Sequence, residues 1–425
     1  MRATRDGVVM KKRCPRHGEF ECIVSSDVAA YEFLRRAPRV VRPPARIALP
    51  RDKGCPEDCG LCPEHEHRAC LVIVEVTSRC NLPCPVCLAG SSAEGADLPA
   101  AQVIAALKGM FLAEGGATPL QYAGGEPTLH RELVQIVEQA SELGFRKQEV
   151  DSNGLLLATR PSLARDLRRA GLTGVYLQMD TLDPHASTYI RGRDLLPQKL
   201  RAIENCMSAG LQVVLSVTVV PGVNDHRVWE MIRFAAAERL TGVNFQSAVL
   251  SGRYPAALAR RKARFTAGHF MRQVALQSGG RLKESDLMPV SCADPRCGLI
   301  AYCLIDHEGE IVPINEHLGA ERLRQGMAEF SEWDALLRQI GNGVSCCSCG
   351  GEERTTETLG RLLDGAECFS IGFHGMMDAW SFDQERARRC GVHKLTTDGK
   401  LMPFCLYNMK YRPQPTANPV TGPPA

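Results

Sequence analysis

The chain has 425 residues, 44% of them hydrophobic and 23% charged, with a formal net charge of +3. That composition excludes wholesale disorder, supplies core for two or three domains, and argues against a dedicated nucleic-acid binder, which carries a strongly basic face. The anomaly is cysteine: nineteen residues, an odd number that disulfides cannot consume.

The first segment, residues 1–67, opens with MRATRDGVVMKKRCPRHG, which lacks the apolar region of a secretory signal. No run in the chain approaches the roughly 20 apolar residues of a membrane span. A reducing cytoplasm is therefore the expectation, and there clustered cysteines read as metal-binding or catalytic. Cys14-Pro15-Arg16-His17-Gly18 has the form of one knuckle of a zinc ribbon or rubredoxin, but no second knuckle precedes it, so no metal is expected there. Cys55, Cys59 and Cys62 follow at C-x3-C-x2-C spacing, with Cys70 eight residues on. Four thiolates could ligate an auxiliary cluster, or His65, His67 or a distant cysteine could replace Cys70.

Residues 68–250 alternate short β-branched runs with amphipathic ones. Strands are expected at Leu71–Val76, Leu120–Ala123, Gln148–Asp151, Val175–Met179, Val213–Val219 and Val243–Ser247. Helices are expected at Ala101–Leu112, Glu132–Leu143, Leu163–Ala170, Gln198–Met207 and Val228–Arg239, with Gly144, Gly171 and Gly210 as stops. This pattern predicts an α/β fold of six parallel βα units, a partial barrel or a doubly wound sheet, with functional residues just past the C-terminal strand ends.

The motifs fall there. After the first strand, SRCNLPCPVC places Cys80, Cys84 and Cys87 at C-x3-C-x2-C spacing in one loop. Three thiolates can hold three corners of an iron–sulfur cubane and leave the fourth iron open; the competing reading is a zinc knuckle. After the second strand come Gly124, Gly125, Glu126 and Pro127, where the glycines let backbone approach a ligand closely. Later strand ends supply Ser152 and Asn153, Gln178 and Asp180, Ser216 and Thr218, and Asn244, Gln246 and Arg253. Capping and turn chemistry competes for several of these, notably at Ser152-Asn153-Gly154, and at Asn224-Asp225 after the fifth strand. Cys206, on an apolar helix face, reads as core.

In residues 251–425, Cys292, Cys297 and Cys303 precede a hairpin-like stretch, and Cys390, His393 and Cys405 frame another. Cys292, Cys297, Cys390 and Cys405 are proposed as a second auxiliary ligand set, with Cys346, Cys347, Cys349 and Cys368 competing. Met376, Met377 and Trp380 could line an apolar cavity, although core packing is the commoner role of such residues.

The C-x3-C-x2-C loop followed one strand later by Gly-Gly-Glu-Pro resembles the radical S-adenosylmethionine (SAM) superfamily. The resemblance implies a partial (β/α)6 barrel flanked by Cys-rich regions. It implies a [4Fe-4S] cluster on Cys80, Cys84 and Cys87, and SAM along Gly124–Pro127 with Ser152, Asn153 and Gln178. It also implies reductive cleavage of SAM to a 5′-deoxyadenosyl radical, one or two auxiliary [4Fe-4S] clusters, and a donor such as ferredoxin or flavodoxin. Across nearly the whole chain, HGEFECIVSSD, GCPEDCGLCPEH, NFQSAVLSGR and PFCLYN resemble the subgroup of tetraether lipid synthases and their bacterial relatives. That implies C–C coupling on a lipid alkyl chain met at the inner membrane face, where the excess of six basic residues in the first fifty would help. The alternatives are radical modification of a pterin or peptide, and a non-enzymatic metal or electron-transfer protein. Oligomeric state and substrate stay open.

Overall fold

The computed structural model describes residues 1–15, 18–37, 41, 43–47, 52–261, 264–290, 293–315, 367–396 and 399–412. The chain begins with a three-stranded antiparallel sheet, β1 (Arg2–Thr4), β2 (Gly7–Cys14) and β3 (Gly18–Ser25), followed by α1 (Val28–Arg36). Asp27 caps α1 by accepting the Ala30 amide at 2.9 Å.

The central units then follow in order: β4 (Leu71–Thr77), α2 (Ala100–Glu114), β5 (Leu120–Gly124), α3 (Leu133–Glu142), β6 (Gln148–Ser152), α4 (Leu155–Thr159), α5 (Pro161–Ala170), β7 (Gly174–Gln178), α6 (Pro184–Arg191), α7 (Leu196–Ser208), β8 (Gln212–Val219), α8 (Val228–Ala237) and β9 (Gly242–Ser247). Each strand pairs in parallel with the next, from β4 through β9. All six expected strands are present, and the five expected helices match within a few residues. The short α4 and α6 had no periodic signal long enough to read.

The C-terminal part contributes α9 (Ala256–Arg261), α10 (Ala267–Gln277), β10 (Met288–Pro289), β11 (Gly298–Ile305), β12 (Ile311–Pro313), β13 (Glu367–His374), α11 (Gln384–Arg388), β14 (Val392–Leu395) and β15 (Leu401–Pro403). These strands extend the same sheet. β13 adds in parallel to β9 at one edge and β14 adds in parallel to β4 at the other. The sheet order is β10-β11-β13-β9-β8-β7-β6-β5-β4-β14-β15, with β12 paired to β11. Both exposed edges of the six-stranded core are thereby covered. The hairpins expected around Glu308-Gly309 and Asp398-Gly399 are β11–β12 and β14–β15.

Strand alternation then divides the two faces. Val72, Val74 and Val76 of β4 point outward and are buried in one core with Leu107, Met110, Ile136, Val137 and Leu167 of the helices. The inward positions of the later strands are polar: Asp151, Tyr176, Gln178, Ser216, Thr218, Asn244 and Gln246 all border the central cavity. Phe270 of α10 stacks on Phe373 of β13 at 4.9 Å between centroids, which fastens the added edge strand to the barrel.

Candidate active site

A cavity of about 310 Å³ occupies the mouth of the barrel. Cys80, Cys84 and Cys87 line it, in the loop that leaves β4. Backbone bonds fix that loop from several directions. The Cys80 amide donates to the Ser92 carbonyl at 2.7 Å, and Cys87 and Arg253 exchange amide-to-carbonyl bonds at 2.8 and 2.9 Å. The Arg253 Nε–H also donates to the Cys84 carbonyl at 2.6 Å, so a residue in the segment that follows β9 braces a loop from β4.

The thiol environment fits a cluster. Burial pushes the Cys80 thiol up to about 11, and the neighbouring Glu126, Cys84 and Cys87 add to that. Burial also raises Cys84, opposed by the Arg191 guanidinium. Buried thiolates need a positive partner, and iron supplies one. Sulfur acceptors are already addressed: the Leu82 amide donates to Cys80 Sγ at 3.4 Å and the Asn153 amide group approaches it at 3.9 Å.

The glycine turn packs against the root of this loop. A Cβ on Gly124 would lie 2.0 Å from the Thr77 carbonyl oxygen, and one on Gly125 2.1 Å from that of Arg79. Gly124 also has φ 131°, in the region that favours glycine. The glycines are thus required by close approach to the cluster loop, as well as facing the cavity. Glu126 and Pro127 are set behind the cavity wall rather than on it. The Glu126 carboxylate is fully buried and accepts from the Asn153 amide at 2.7 Å, the Ser152 hydroxyl at 2.8 Å and the Thr128 amide at 3.1 Å. It acts on the site by fixing Ser152 and Asn153, which do reach the cavity.

Further round the barrel, Gln178 accepts from Lys199 Nζ at 2.9 Å and donates to Asp180 at 2.5 Å. Asp180 and Arg191 form a buried bidentate pair at 2.6 and 2.8 Å, with Arg191 also donating to the Val86 carbonyl and the Thr218 hydroxyl. Burial pushes Lys199 down to about 7. Asn224 is a turn residue: it accepts from the Val220 amide and donates to the Asp180 and Thr218 carbonyls.

Residues 74–235 match the sequence model of the radical SAM superfamily. The chain carries a radical SAM domain. As a radical SAM enzyme the protein works with a [4Fe-4S] cluster and SAM. It is 29% identical over 457 aligned positions to a 7,8-dihydro-6-hydroxymethylpterin dimethyltransferase of Methanocaldococcus jannaschii, covering 95% of this chain and 89% of that one. It is 31% identical over 175 positions to a GTP 3′,8-cyclase of Marinobacter nauticus, covering 40% of this chain and 51% of that one, so it spans about half the length of that relative. Among solved structures, Streptococcus suis SuiB bound to S-adenosylmethionine aligns with a TM-score of 0.39 and 16% identity over 52% of this chain and 50% of that one.

Outside the radical SAM domain, two groups of flanking cysteines stand out, with Cys22, Cys303 and Cys368 in neither. Cys297, Cys390 and Cys405 border the same cavity as the Cys80 loop, as does Cys70. Cys390 and Cys405 lie within electrostatic reach of one another and of Cys297, and burial pushes the Cys405 thiol up to about 11. The Arg386 Nε–H donates to Cys297 Sγ at 3.2 Å. Cys292 lies outside the described residues, as do Cys346, Cys347 and Cys349. The second group, Cys55, Cys59 and Cys62, does not border the cavity. Cys59 packs with Met402 and Leu406, and burial reinforced by Cys55 and Cys62 pushes its thiol up to about 12. Among the described residues no three His, Cys, Asp or Glu side chains converge on a single-ion site. A cubane takes one thiolate per iron, so its ligands need not meet at a point.

Cys206 is fully buried in the α7 core, and Cys303 likewise in β11. Met376 and Met377 border the cavity, whereas Trp380 packs edge-on against Phe20. His65 and His393 form a buried pair, Nε2 to Nε2, at 2.9 Å.

Sequence reasoning missed Arg191, Lys199 and Arg386. None stands at a strand end; Arg191 and Arg386 reach the cavity wall from helices, and Lys199 stands behind it on Gln178 and the Asn153 carbonyl. A cation on a buried helix face was the available signal. Asp151 was counted as strand, with no role given to its side chain.

Proposed function

We propose that this radical SAM enzyme functionalises a C–H bond of a polar nitrogen heterocycle of the pterin class. The observation that carries the reading is the inner wall of the cavity. Asp151, Tyr176, Gln178, Ser216, Asn244 and Gln246 project into it from four consecutive strands. Such a wall suits a ligand with several donors and acceptors, since buried polar groups demand partners. The relative that spans nearly the whole chain bears a pterin dimethyltransferase name, which supports the same class.

Cys80, Cys84 and Cys87 would hold the cluster, and Gly124, Gly125, Ser152, Asn153 and Gln178 would border SAM. When bound, cluster and SAM together supply one-electron reductive cleavage and hydrogen abstraction. This chain's residues do the rest. Arg253 and the backbone of Ser92 immobilise the thiol loop. Glu126 orients Ser152 and Asn153. Arg191 places fixed positive charge beside Cys84. β13 and β14 cap the sheet edges beside the cavity. An electron donor of the ferredoxin or flavodoxin kind is required. Cys297, Cys390 and Cys405, with Cys292, would serve an auxiliary cluster on the same cavity, and Cys55, Cys59 and Cys62 another.

A second reading, a lipid alkyl substrate of the tetraether-synthase kind, is favoured by Val249, Val290, Met376 and Met377 on the cavity wall. Among the described residues no helix is long and apolar enough to cross a membrane, so a lipid would have to be met at a surface. Anaerobic, reconstituted protein given SAM, dithionite and either deuterated 7,8-dihydro-6-hydroxymethylpterin or a deuterated dialkyl lipid separates the two. Deuterium entering 5′-deoxyadenosine from the pterin is the expected result. Transfer from the lipid alone would overturn the pterin reading.

A further inference from the structure

The interior carboxylates of the barrel are nearly all committed. Glu75 is paired with Lys394 at 2.6 Å and with Arg412. Glu126 accepts from four donors, and Asp180 is held by Arg191. Asp151 differs. It sits on the inward face of β6, beside Tyr176 of β7 in register, and borders the cavity. Among the described residues its carboxylate makes no hydrogen bond or ion pair. The charged groups that face it are Glu126, Glu149, Lys394 and Arg191, and both of those cations are already engaged by other carboxylates.

Burial and the two neighbouring carboxylates push Asp151 up to about 7, well above the usual carboxylate range. An uncommitted carboxyl in a low-dielectric cavity is costly in either state. It becomes favourable when a ligand presents a matched pair of N–H donors, because bidentate N–H to carboxylate bonds are among the strongest available. An alkyl chain offers no such donor.

We propose that Asp151 is the specificity-determining residue of the substrate pocket, accepting the adjacent ring N–H and exocyclic amino donors of a 2-amino-pyrimidinone such as the pyrimidine half of a pterin. The proposal rests on the pterin-class reading above and adds which edge of the ring is read. Replacing the 2-amino group by an oxo group, as in a lumazine, turns one donor into an acceptor and sets oxygen against carboxylate. Asn at position 151 would remove that conflict, since its amide can donate to the oxo group.

The test is equilibrium dialysis of the anaerobic holoenzyme with SAM, using 6-hydroxymethylpterin and 6-hydroxymethyllumazine as probes. Wild type should prefer the pterin by about 10- to 100-fold, the range for hydrogen bonds to a charged group. Asp151→Asn should abolish the pterin preference or turn it toward the lumazine, and Asp151→Glu should keep part of the preference. The ratio of two affinities on one sample is insensitive to a partly unfolded fraction. A wild-type preference retained in Asp151→Asn, or an equal loss for both probes, overturns the role of Asp151 and leaves the pterin reading standing. Failure of wild type to bind either probe overturns both.

Discussion

The central barrel and its Cys-rich flanks build their thiol groups in opposite ways. In the barrel, Cys80, Cys84 and Cys87 lie within eight residues, in a loop whose place is set by the strand before it. In the C-terminal flank, Cys297, Cys390 and Cys405 reach one cavity only because β13 adds to β9, β14 adds to β4, and the turns beside them point inward. The two groups share a device, a buried arginine beside the sulfurs: Arg191 near Cys84 and Arg386 on Cys297. A local site is written in spacing. A distributed one is written in topology, and spacing is silent about it.

That contrast can be broken most sharply by removing the distributed group. Replacing Cys297, Cys390 and Cys405 together by Ser should lower iron and sulfide by about one cubane per chain, measured on anaerobically reconstituted protein. An unchanged content would mean that these thiols hold no cluster.

The topology that gathers them depends on a buried ion network. Arg296 binds Asp294 at 2.8 Å and Asp383 at 3.0 Å, and Arg389 reaches the same Asp294 at 3.4 Å. Arg296→Ala takes its cation from buried Asp383 and leaves Asp294 only the longer contact with Arg389, and it should cost about 3 kcal/mol in thermal unfolding. The penalty depends on pH. Asp294 is held down to about 2, with burial opposing and the Arg296 hydrogen bonds and charge prevailing. A depressed carboxyl contributes its full stabilisation above the ordinary value of 3.8 and loses it as pH falls toward 2. The difference between wild type and variant should shrink across that window.

The smallest effect is expected at a cysteine outside both groups. Cys206→Ala removes one buried sulfur from the α7 core and should cost about 1 kcal/mol, with iron content unchanged. A fall in iron there would blur the division between structural and ligating thiols.

How much could be read beforehand follows the same line. The six parallel strands were legible because short β-branched runs such as Val213–Val219 alternate with amphipathic helical ones, the helix-covered face of each strand staying apolar while Ser216 and Thr218 face the cavity. The helix stops were legible because Gly144, Gly171 and Gly210 adopt positive φ. The added strands β13 and β14 were not legible as barrel edges, because pairing partners more than a hundred residues apart leave no local pattern. Glu126 was placed on the SAM wall because Gly-Gly-Glu-Pro was read as one unit. In three dimensions its carboxylate turns back to hold Ser152 and Asn153. Arg191 and Lys199 were invisible to a search of strand ends, since both extend long side chains from helices.

The radical SAM assignment of the Cys80 loop is tested most directly by counting 5′-deoxyadenosine. Oxygen-free reconstituted protein, SAM and dithionite are incubated with wild type and with the Cys80/Cys84/Cys87→Ala variant. The account predicts steady 5′-deoxyadenosine from wild type and none above background from the variant. Equal yields from both proteins, or none from wild type, would contradict it.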